Sequence, residues 1–107
     1  METTTKQASF NDLIKSETPV LVDFYADWCG PCRMMPPILN EVKKHFRENL
    51  NIIKIDVDKN PSAAQAYRVM SIPTLILFQN GEIKWQQAGV VPAKALTEAI
   101  TNNIDNI

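Results

Sequence analysis

A short apolar run at residues 20–25, Val-Leu-Val-Asp-Phe-Tyr, constrains the fold of this chain more than any other feature. Apolar side chains at consecutive positions predict a strand that is buried on both faces, as the strands of a parallel sheet are. Residues 52–57, Ile-Ile-Lys-Ile-Asp-Val, form a second run of the same kind. The chain between the two runs has a helical pattern, so the three segments predict a strand, a helix and a parallel strand joined by a right-handed crossover.

The helix between these strands is predicted at residues 31–49. Its apolar residues recur at the spacing of one helical face, and its charged residues lie outside that face. The apolar positions are Met35, Ile38, Leu39, Val42 and Phe46. We therefore expect one side of this helix to pack against the sheet.

The second half of the chain predicts a hairpin between two further helices. Its elements in order are a short helix at residues 61–67, strands at residues 74–79 and 82–86, and a last helix at about residues 92–103. The strands are joined by Asn80-Gly81, a sequence typical of tight hairpin turns. We predict an α/β fold in which helices flank both faces of a central mixed sheet, built as a single domain over residues 1–107.

Charge and hydropathy argue against several classes of protein. The 11 Lys and Arg and the 12 Asp and Glu are mixed along the chain, and no basic stretch is present that would follow a nucleic-acid backbone. The apolar runs are far shorter than the roughly 18 residues that a membrane span requires. We therefore expect neither nucleic acid nor membrane as a partner, and the cytoplasm is the default location.

Cys29 and Cys32 are the chemical centre of the sequence. Cysteines this close together cannot join distant parts of a fold, so they serve chemistry or metal binding. They lie where the first strand ends and the long helix begins, which places Cys29 near unpaired backbone N–H groups that stabilise a thiolate. Cys29 is predicted to attack disulfides, and Cys32, expected to be the more buried, to resolve the mixed disulfide. Between them, Gly30 lets a substrate backbone approach and Pro31 restrains the first helical turn.

A zinc site is the alternative to a redox role, because the same spacing supplies two tetrahedral ligands. A closed site needs two more ligands from Cys or His, and His45 is the one such residue left in the sequence. His45 falls outside the apolar face of the helix, where a solvated side chain is the simpler interpretation. We therefore expect no metal.

Asp23 interrupts the first buried strand and needs an explanation. Burial is costly for a carboxylate and raises its pKa, which makes the group a proton acceptor near neutral pH. We predict that Asp23 lies beneath Cys32 and takes the proton of that thiol; a partly exposed strand aspartate is the alternative. Lys54, inside the next strand, is either the cation that partners Asp23 or a solvated lysine at the sheet edge.

Two further features point to the surroundings of the cysteines. Trp28 immediately precedes Cys29 and is predicted to be a surface aromatic beside the reactive sulfur. Pro73 stands at the first position of a strand, where it forfeits one ladder bond and can adopt the cis isomer.

Taken together, these segments resemble the thioredoxin family from about Phe10 to the last helix. The resemblance is carried by Trp28-Cys29-Gly30-Pro31-Cys32, by Val22-Asp23-Phe24-Tyr25-Ala26 and by Ile72-Pro73-Thr74. It implies a thioredoxin fold with Cys29 as nucleophile, Cys32 as resolving thiol and Asp23 as the buried acid–base group. It also implies that Pro73 is a cis-proline that faces the dithiol.

The resemblance extends to substrates and partners. In the family, the residue before the cis-proline pairs its backbone with an extended substrate segment, and here that residue is Ile72. The docking patch around it maps onto Trp28, Gly30, Val57, Ser71, Ala88 and Gly89. The implied function is a protein-disulfide reductase that binds no cofactor, reduces disulfides in target proteins and is itself reduced by a flavin-dependent thioredoxin reductase using NADPH. We expect it to be a monomer.

The sequence departs from the family pattern at two places near the dithiol. Pro36 joins Pro37, and two consecutive prolines remove the i→i−4 bonds to the carbonyls of Cys32 and Arg33, so we expect a kink and a loose first turn. Tyr25 stands where many relatives have Trp, which keeps an aromatic ring but adds a hydroxyl.

Two other functions stay open on the sequence. One is an oxidant or isomerase of an oxidising compartment, but such relatives usually have a His between the cysteines, where this chain has Pro31 next to Cys32. The other is a binding module that holds a partner protein on the docking patch, for which both cysteines and Asp23 would be dispensable.

Overall fold

The structure of the chain, a computed structural model, describes residues 10–105. Within these residues the strands are β1 (Val20–Tyr25), β2 (Asn51–Asp56), β3 (Thr74–Gln79) and β4 (Glu82–Ala88). They form one sheet in the order β2-β1-β3-β4. β1 and β2 are parallel, and β3 runs antiparallel to both β1 and β4. The predicted parallel pair and the predicted hairpin are both confirmed.

Helices cover both faces of this sheet. They are α1 (Met35–Phe46), α2 (Pro61–Ala66) and α3 (Ala93–Asn103), with 3₁₀ turns at Pro31–Met34 and Arg47–Asn49 and a helical turn at residues 10–13. The predicted fold class, a central mixed sheet flanked by helices, is therefore confirmed. In the part of the chain that the structure describes, no helix is long and apolar enough to cross a membrane.

The alternation of side chains along β1 divides the core into two layers. Val20, Val22 and Phe24 pack on one face of the sheet with residues that include Phe10 and Tyr67. The layer on the opposite face contains Leu21 and the apolar residues of α1 and α3, among them Met35, Leu39, Leu96 and Ile100. Successive side chains of a strand point to opposite faces. Asp23 and Tyr25 therefore lie on the same face as Leu21, beneath the helix that follows the cysteines.

The helix predicted at residues 31–49 is divided into an α-helix and two flanking 3₁₀ turns. Pro36 has no N–H for the carbonyl of Cys32, and that carbonyl instead accepts the N–H of Met35, which is a 3₁₀ bond. The irregularity at the helix start takes the form of a change of helix type. A 3₁₀ turn is wound more tightly than an α-helix, so the expectation of a loose first turn was wrong. Pro36 and Pro37 both fall in the first turn of α1, where a missing N–H disturbs the helix least.

The turn between β3 and β4 depends on two residues with left-handed backbone. Asn80 has a φ of 56° and Gly81 a φ of 80°. Positive φ at both central residues is the geometry of the two-residue hairpin turn whose twist matches that of the flanking strands. The sequence Asn-Gly therefore fixes the register of β4 against β3 next to the turn, where Gln79 pairs with Glu82 and Phe78 with Ile83; beyond Phe78 the register shifts.

Replacing Gly81 tests this turn. Gly81→Ala should lower the free energy of unfolding by about 1 kcal/mol, because a side chain is disfavoured at positive φ. The new Cβ itself has room, since its nearest neighbour would be Lys15 Cγ at 3.7 Å. Urea unfolding of the oxidised protein measures the effect. The matched control is Gly30→Ala, at a φ of −60° with nothing within 4 Å of the new Cβ; an equal loss in both variants would contradict the backbone explanation.

Candidate redox-active site

Cys29 and Cys32 are joined by a disulfide, so the structure is that of the oxidised protein. As predicted, the pair lies between the end of β1 and the start of α1. The N–H of Cys29 donates to the carbonyl of Ala26 at 3.2 Å, which fixes the turn that leaves the strand. The active-site loop is thus tied to the end of a buried strand on one side and to a helix on the other.

The sulfur of Cys29 has a backbone donor directed at it. The N–H of Cys32 points at this sulfur with an N···S distance of 3.2 Å. On another side, the carbonyl oxygen of Ile72 lies 3.8 Å from the same sulfur. An N–H group at the start of a helical segment stabilises a thiolate more than a thiol. The geometry therefore favours Cys29 as the sulfur that carries the negative charge after reduction.

The two cysteines are buried to nearly the same extent, so the prediction that Cys32 is the more buried was wrong. Cys29 is 4% exposed and Cys32 is 5% exposed. Both belong to a small apolar cluster with Ala26, against which Tyr25, Val57 and Ile72 pack. Cys29 is covered by side chains from β1 and from two loops that are distant in sequence, which the order of residues around the motif does not reveal.

The two residues between the cysteines leave space on the outside of the motif. Gly30 is exposed, and a Cβ added to it would meet nothing within 4 Å. Pro31 occupies the first position of the 3₁₀ turn, where its ring fixes φ. The fold itself therefore does not require a glycine at position 30. The open space outside Gly30 is consistent with the prediction that another chain approaches the motif there.

The Ile72–Pro73 peptide bond is cis, as the resemblance implied. The carbonyl of Pro73 accepts the N–H of Gly89 at 2.7 Å, which joins the end of β4 to this loop. Of the predicted docking patch, Val57 and Ile72 pack against the cysteines, whereas Ser71 and Ala88 are exposed. The loop geometry is confirmed, and the docking role of these residues stays a prediction.

Trp28 is a surface aromatic, 69% exposed, as predicted. Its indole Nε1–H donates to the carboxylate of Asp58 at 2.8 Å, a contact across 30 positions that no local pattern in the sequence predicts. Asp58 lies in a turn after β2 that is held by Asp56, whose carboxylate accepts the N–H of Asp58 at 2.9 Å. The sequence Asp-Val-Asp-Lys-Asn is typical of such a turn, but it does not indicate which side chain the turn would bind.

Asp23 is almost fully buried, with 1% of its surface exposed, which confirms the prediction from the apolar run. Among residues 10–105, neither of its carboxylate oxygens has a hydrogen-bond partner. Burial raises the pKa of Asp23 from 3.8 to about 6, and the positive charge of Lys54 opposes that rise. A carboxylate with these properties exchanges a proton near neutral pH, as a general base must.

Lys54 combines the two alternatives that the sequence left open. It is the register neighbour of Asp23 in the parallel pair, and its residue is exposed at the sheet edge. Its ammonium makes no hydrogen bond to Asp23. Instead, Lys54 Nζ lies over the ring of Tyr25, 5.3 Å from the ring centroid. Lys54 therefore acts on Asp23 through its charge and not through a direct ion pair.

Comparison with known proteins identifies the family. The family model for thioredoxin matches residues 1–102. A chloroplastic thioredoxin from Arabidopsis thaliana is 47% identical over 97 residues, which are 90% of this chain and 58% of that protein. A thioredoxin from Rickettsia bellii is 44% identical over 93 residues, 87% of this chain and 89% of the relative. The solved structure of a mutant thioredoxin from Halobacterium salinarum has a TM-score of 0.83 and 37% identity, covering 94% of this chain and 88% of its own.

The chain belongs to the thioredoxin family, and its fold is the thioredoxin fold. With Cys29 and Cys32 joined in the disulfide of the motif, it is a thiol–disulfide oxidoreductase.

The buried carboxylate of Asp23 should make stability depend on pH. Because its pKa is higher in the folded chain than the ordinary value of 3.8, the folded state binds the proton more tightly. The stabilisation is complete below pH 3.8 and is lost as the pH rises through about 6. A shift of about two units corresponds to roughly 3 kcal/mol. Asp23→Asn should therefore unfold at higher urea than the unmodified protein at pH 8, and the difference should shrink towards pH 4.

Asp12→Asn, at an exposed position, is the matched control and should leave the pH profile unchanged. A difference between Asp23→Asn and the unmodified protein that stays constant from pH 4 to pH 8 would mean that Asp23 titrates normally.

Proposed function

We propose that this chain is a protein-disulfide reductase that cycles between a dithiol and a disulfide of Cys29 and Cys32. The observation that carries the proposal is the placement of this disulfide at the start of a helical segment, on the sheet face that contains the buried Asp23. A nucleophilic sulfur, a resolving thiol and a proton acceptor are the groups that disulfide exchange needs.

In the first step, the Cys29 thiolate attacks one sulfur of a target disulfide. A bond forms between Cys29 and that sulfur, the target's S–S bond breaks, and the other target sulfur leaves as a thiolate. The Cys32 N–H directed at the Cys29 sulfur supports the thiolate before attack. The product is a mixed disulfide between Cys29 and the target.

In the second step, Cys32 resolves the mixed disulfide. Its thiol gives its proton to the Asp23 carboxylate, the new thiolate attacks the Cys29 sulfur, and the second target sulfur leaves. Two electrons have then passed to the target, and the protein is left as the Cys29–Cys32 disulfide that the structure contains. The raised pKa of Asp23, about 6, supports this role, because a carboxyl that titrates near neutral pH can both take up and release a proton there.

The target is proposed to bind as an extended segment beside the cis-proline. Ile72 would pair its backbone with the segment, and Trp28, Gly30, Val57, Ser71, Ala88 and Gly89 would form the surrounding patch. The exposed ring of Trp28 and the open space outside Gly30 support this location. Disulfide-containing proteins are the substrate class.

The electron donor is proposed to be a thioredoxin reductase that uses flavin and NADPH. One relative supports this pairing by its name, a bifunctional thioredoxin reductase/thioredoxin from Mycobacterium leprae that is 42% identical over 103 residues, 96% of this chain and 22% of that protein. The chain would work as a monomer, as one domain over residues 1–107, in the cytoplasm.

Pro31 favours a reductant over an oxidant or isomerase. Oxidising relatives usually have a His beside the resolving cysteine, where its positive charge stabilises the thiolate. Without such a partner the thiolate is less stable, so the disulfide is favoured and the dithiol gives up electrons more readily.

Reduction of insulin by dithiothreitol tests the proposal. We expect the unmodified protein to accelerate the reaction, and Cys29→Ser and Cys32→Ser each to reduce it to the uncatalysed rate, because each removes one of the two sulfurs. His45→Gln, at an exposed position of α1, is the control and should keep full activity. No acceleration by the unmodified protein would favour a binding module instead.

A further inference from the structure

Tyr25 and Lys54 form a contact next to Asp23 that takes no part in the two steps of disulfide exchange. Lys54 Nζ lies 5.3 Å from the centroid of the Tyr25 ring, within the range of a cation–π interaction. Asp23 and Tyr25 share a face of β1, and Lys54 stands beside Asp23 in the register of β1 with β2. The ammonium therefore has two neighbours on one face of the sheet, a buried carboxylate and an aromatic ring, and it contacts the ring.

We propose that Tyr25 is a positioning residue whose ring holds the Lys54 ammonium near Asp23 but out of hydrogen-bond contact with it. The inference rests on the proposed role of Asp23 as the general base for Cys32. The Tyr25 ring packs against the cluster that contains the cysteines, but it would neither form a bond nor transfer a proton in that step. It would act through Lys54.

The intermediate position of the ammonium has a chemical reason. A direct ion pair would hold Asp23 in its charged form and make it a weak base, because an adjacent opposite charge favours the carboxylate. With no cation nearby, desolvation alone would favour the protonated form, which cannot accept a proton from Cys32. A cation held at a short distance by a ring leaves both forms accessible near neutral pH.

The other charged groups around this face do not replace Lys54. Asp56 is the register neighbour of Tyr25, and Asp27 follows β1; both carry the wrong sign. Lys43 of α1 donates instead to the carbonyls of Arg47 and Leu50.

The ring itself stays neutral at ordinary pH, and the remaining neighbours of Asp23 add no charge. Burial and the carboxylates of Asp56, Asp27 and Asp23 raise the pKa of Tyr25. On β3, the register neighbour of Asp23 is the apolar Leu75. In the oxidised protein the two cysteines are uncharged. Among the described residues, Lys54 is therefore the cation whose charge acts on Asp23.

The test is the pKa of the Asp23 carboxyl, measured by carbon NMR in the oxidised protein. Tyr25→Leu removes the ring, the freed ammonium returns to water, and we expect the pKa of Asp23 to rise by about half a unit to one unit. Lys54→Met should raise it by at least as much. The double variant should shift no further than Lys54→Met alone, because the ring acts only through the cation. Tyr25→Phe keeps the ring and should leave the pKa of Asp23 unchanged.

Three results would overturn the proposal: an unchanged or lowered Asp23 pKa in Tyr25→Leu, shifts that add in the double variant, or a shift in Tyr25→Phe as large as in Tyr25→Leu. If Tyr25→Leu does not fold, the contact is tested in the unmodified protein by proton NMR. The proposal requires ring-current shifts of the Lys54 side chain and a nuclear Overhauser contact between that side chain and the Tyr25 ring. Absence of both signals would overturn the proposal. No measurement here depends on turnover, so its outcome is distinct from failure of the reductase activity itself.

Discussion

β1 lies inside the sheet, with β2 parallel on one side and β3 antiparallel on the other, and five of its six residues are buried. This placement fixes two things at once. The end of the strand is a rigid point from which the Cys29 loop begins, and the middle of the strand carries Asp23 where solvent cannot reach it. The first follows from hydrogen bonding of β1 to neighbours on both sides, and the second from the helices that cover the face of the sheet on which Asp23 lies.

The burial of Asp23 lowers the stability of the folded chain and at the same time makes the carboxyl useful for proton transfer. A carboxylate without hydrogen-bond partners in an apolar layer destabilises the folded chain when it is charged. Burial of the apolar side chains in the same layer offsets this cost; Leu21, Leu75 and Leu77 are fully buried there. The same desolvation makes Asp23 able to exchange a proton at neutral pH. A feature that weakens the fold thus provides the group on which the second half of disulfide exchange depends.

The sequence was sufficient for those parts of the structure that depend on local pattern. Residues close together in sequence determine the apolar run of β1, the helical spacing of α1 and the Asn-Gly turn. The elements and the mixed sheet could therefore be predicted. The burial of Asp23 could be predicted for the same reason, because every residue beside it in the strand is apolar. The cis bond before Pro73 was implied by resemblance to a family and not by local physics.

Contacts across the sheet and between loops could not be predicted. The bond from Trp28 to Asp58 depends on where the turn after β2 lies relative to the end of β1, and the contact of Lys54 with Tyr25 depends on register. The equal burial of the cysteines also depends on Val57 and Ile72, which come from different loops. Two consecutive prolines predicted an irregular helix start, but the bond from Met35 to Cys32 that replaces the missing one had to be observed.

The central claim is that Asp23 takes the proton of Cys32 during resolution, and a single-turnover reaction with an aromatic disulfide reagent tests it most directly. The reduced protein releases one coloured thiolate when Cys29 attacks and a second when Cys32 resolves, so the second phase reports resolution alone. The rate of that phase should rise with a midpoint near pH 6 in the unmodified protein. In Asp23→Asn it should be slower by roughly 100-fold at pH 7, and it should recover at alkaline pH where the thiol ionises unaided. Identical second-phase rates and pH profiles in the two proteins would contradict the claim.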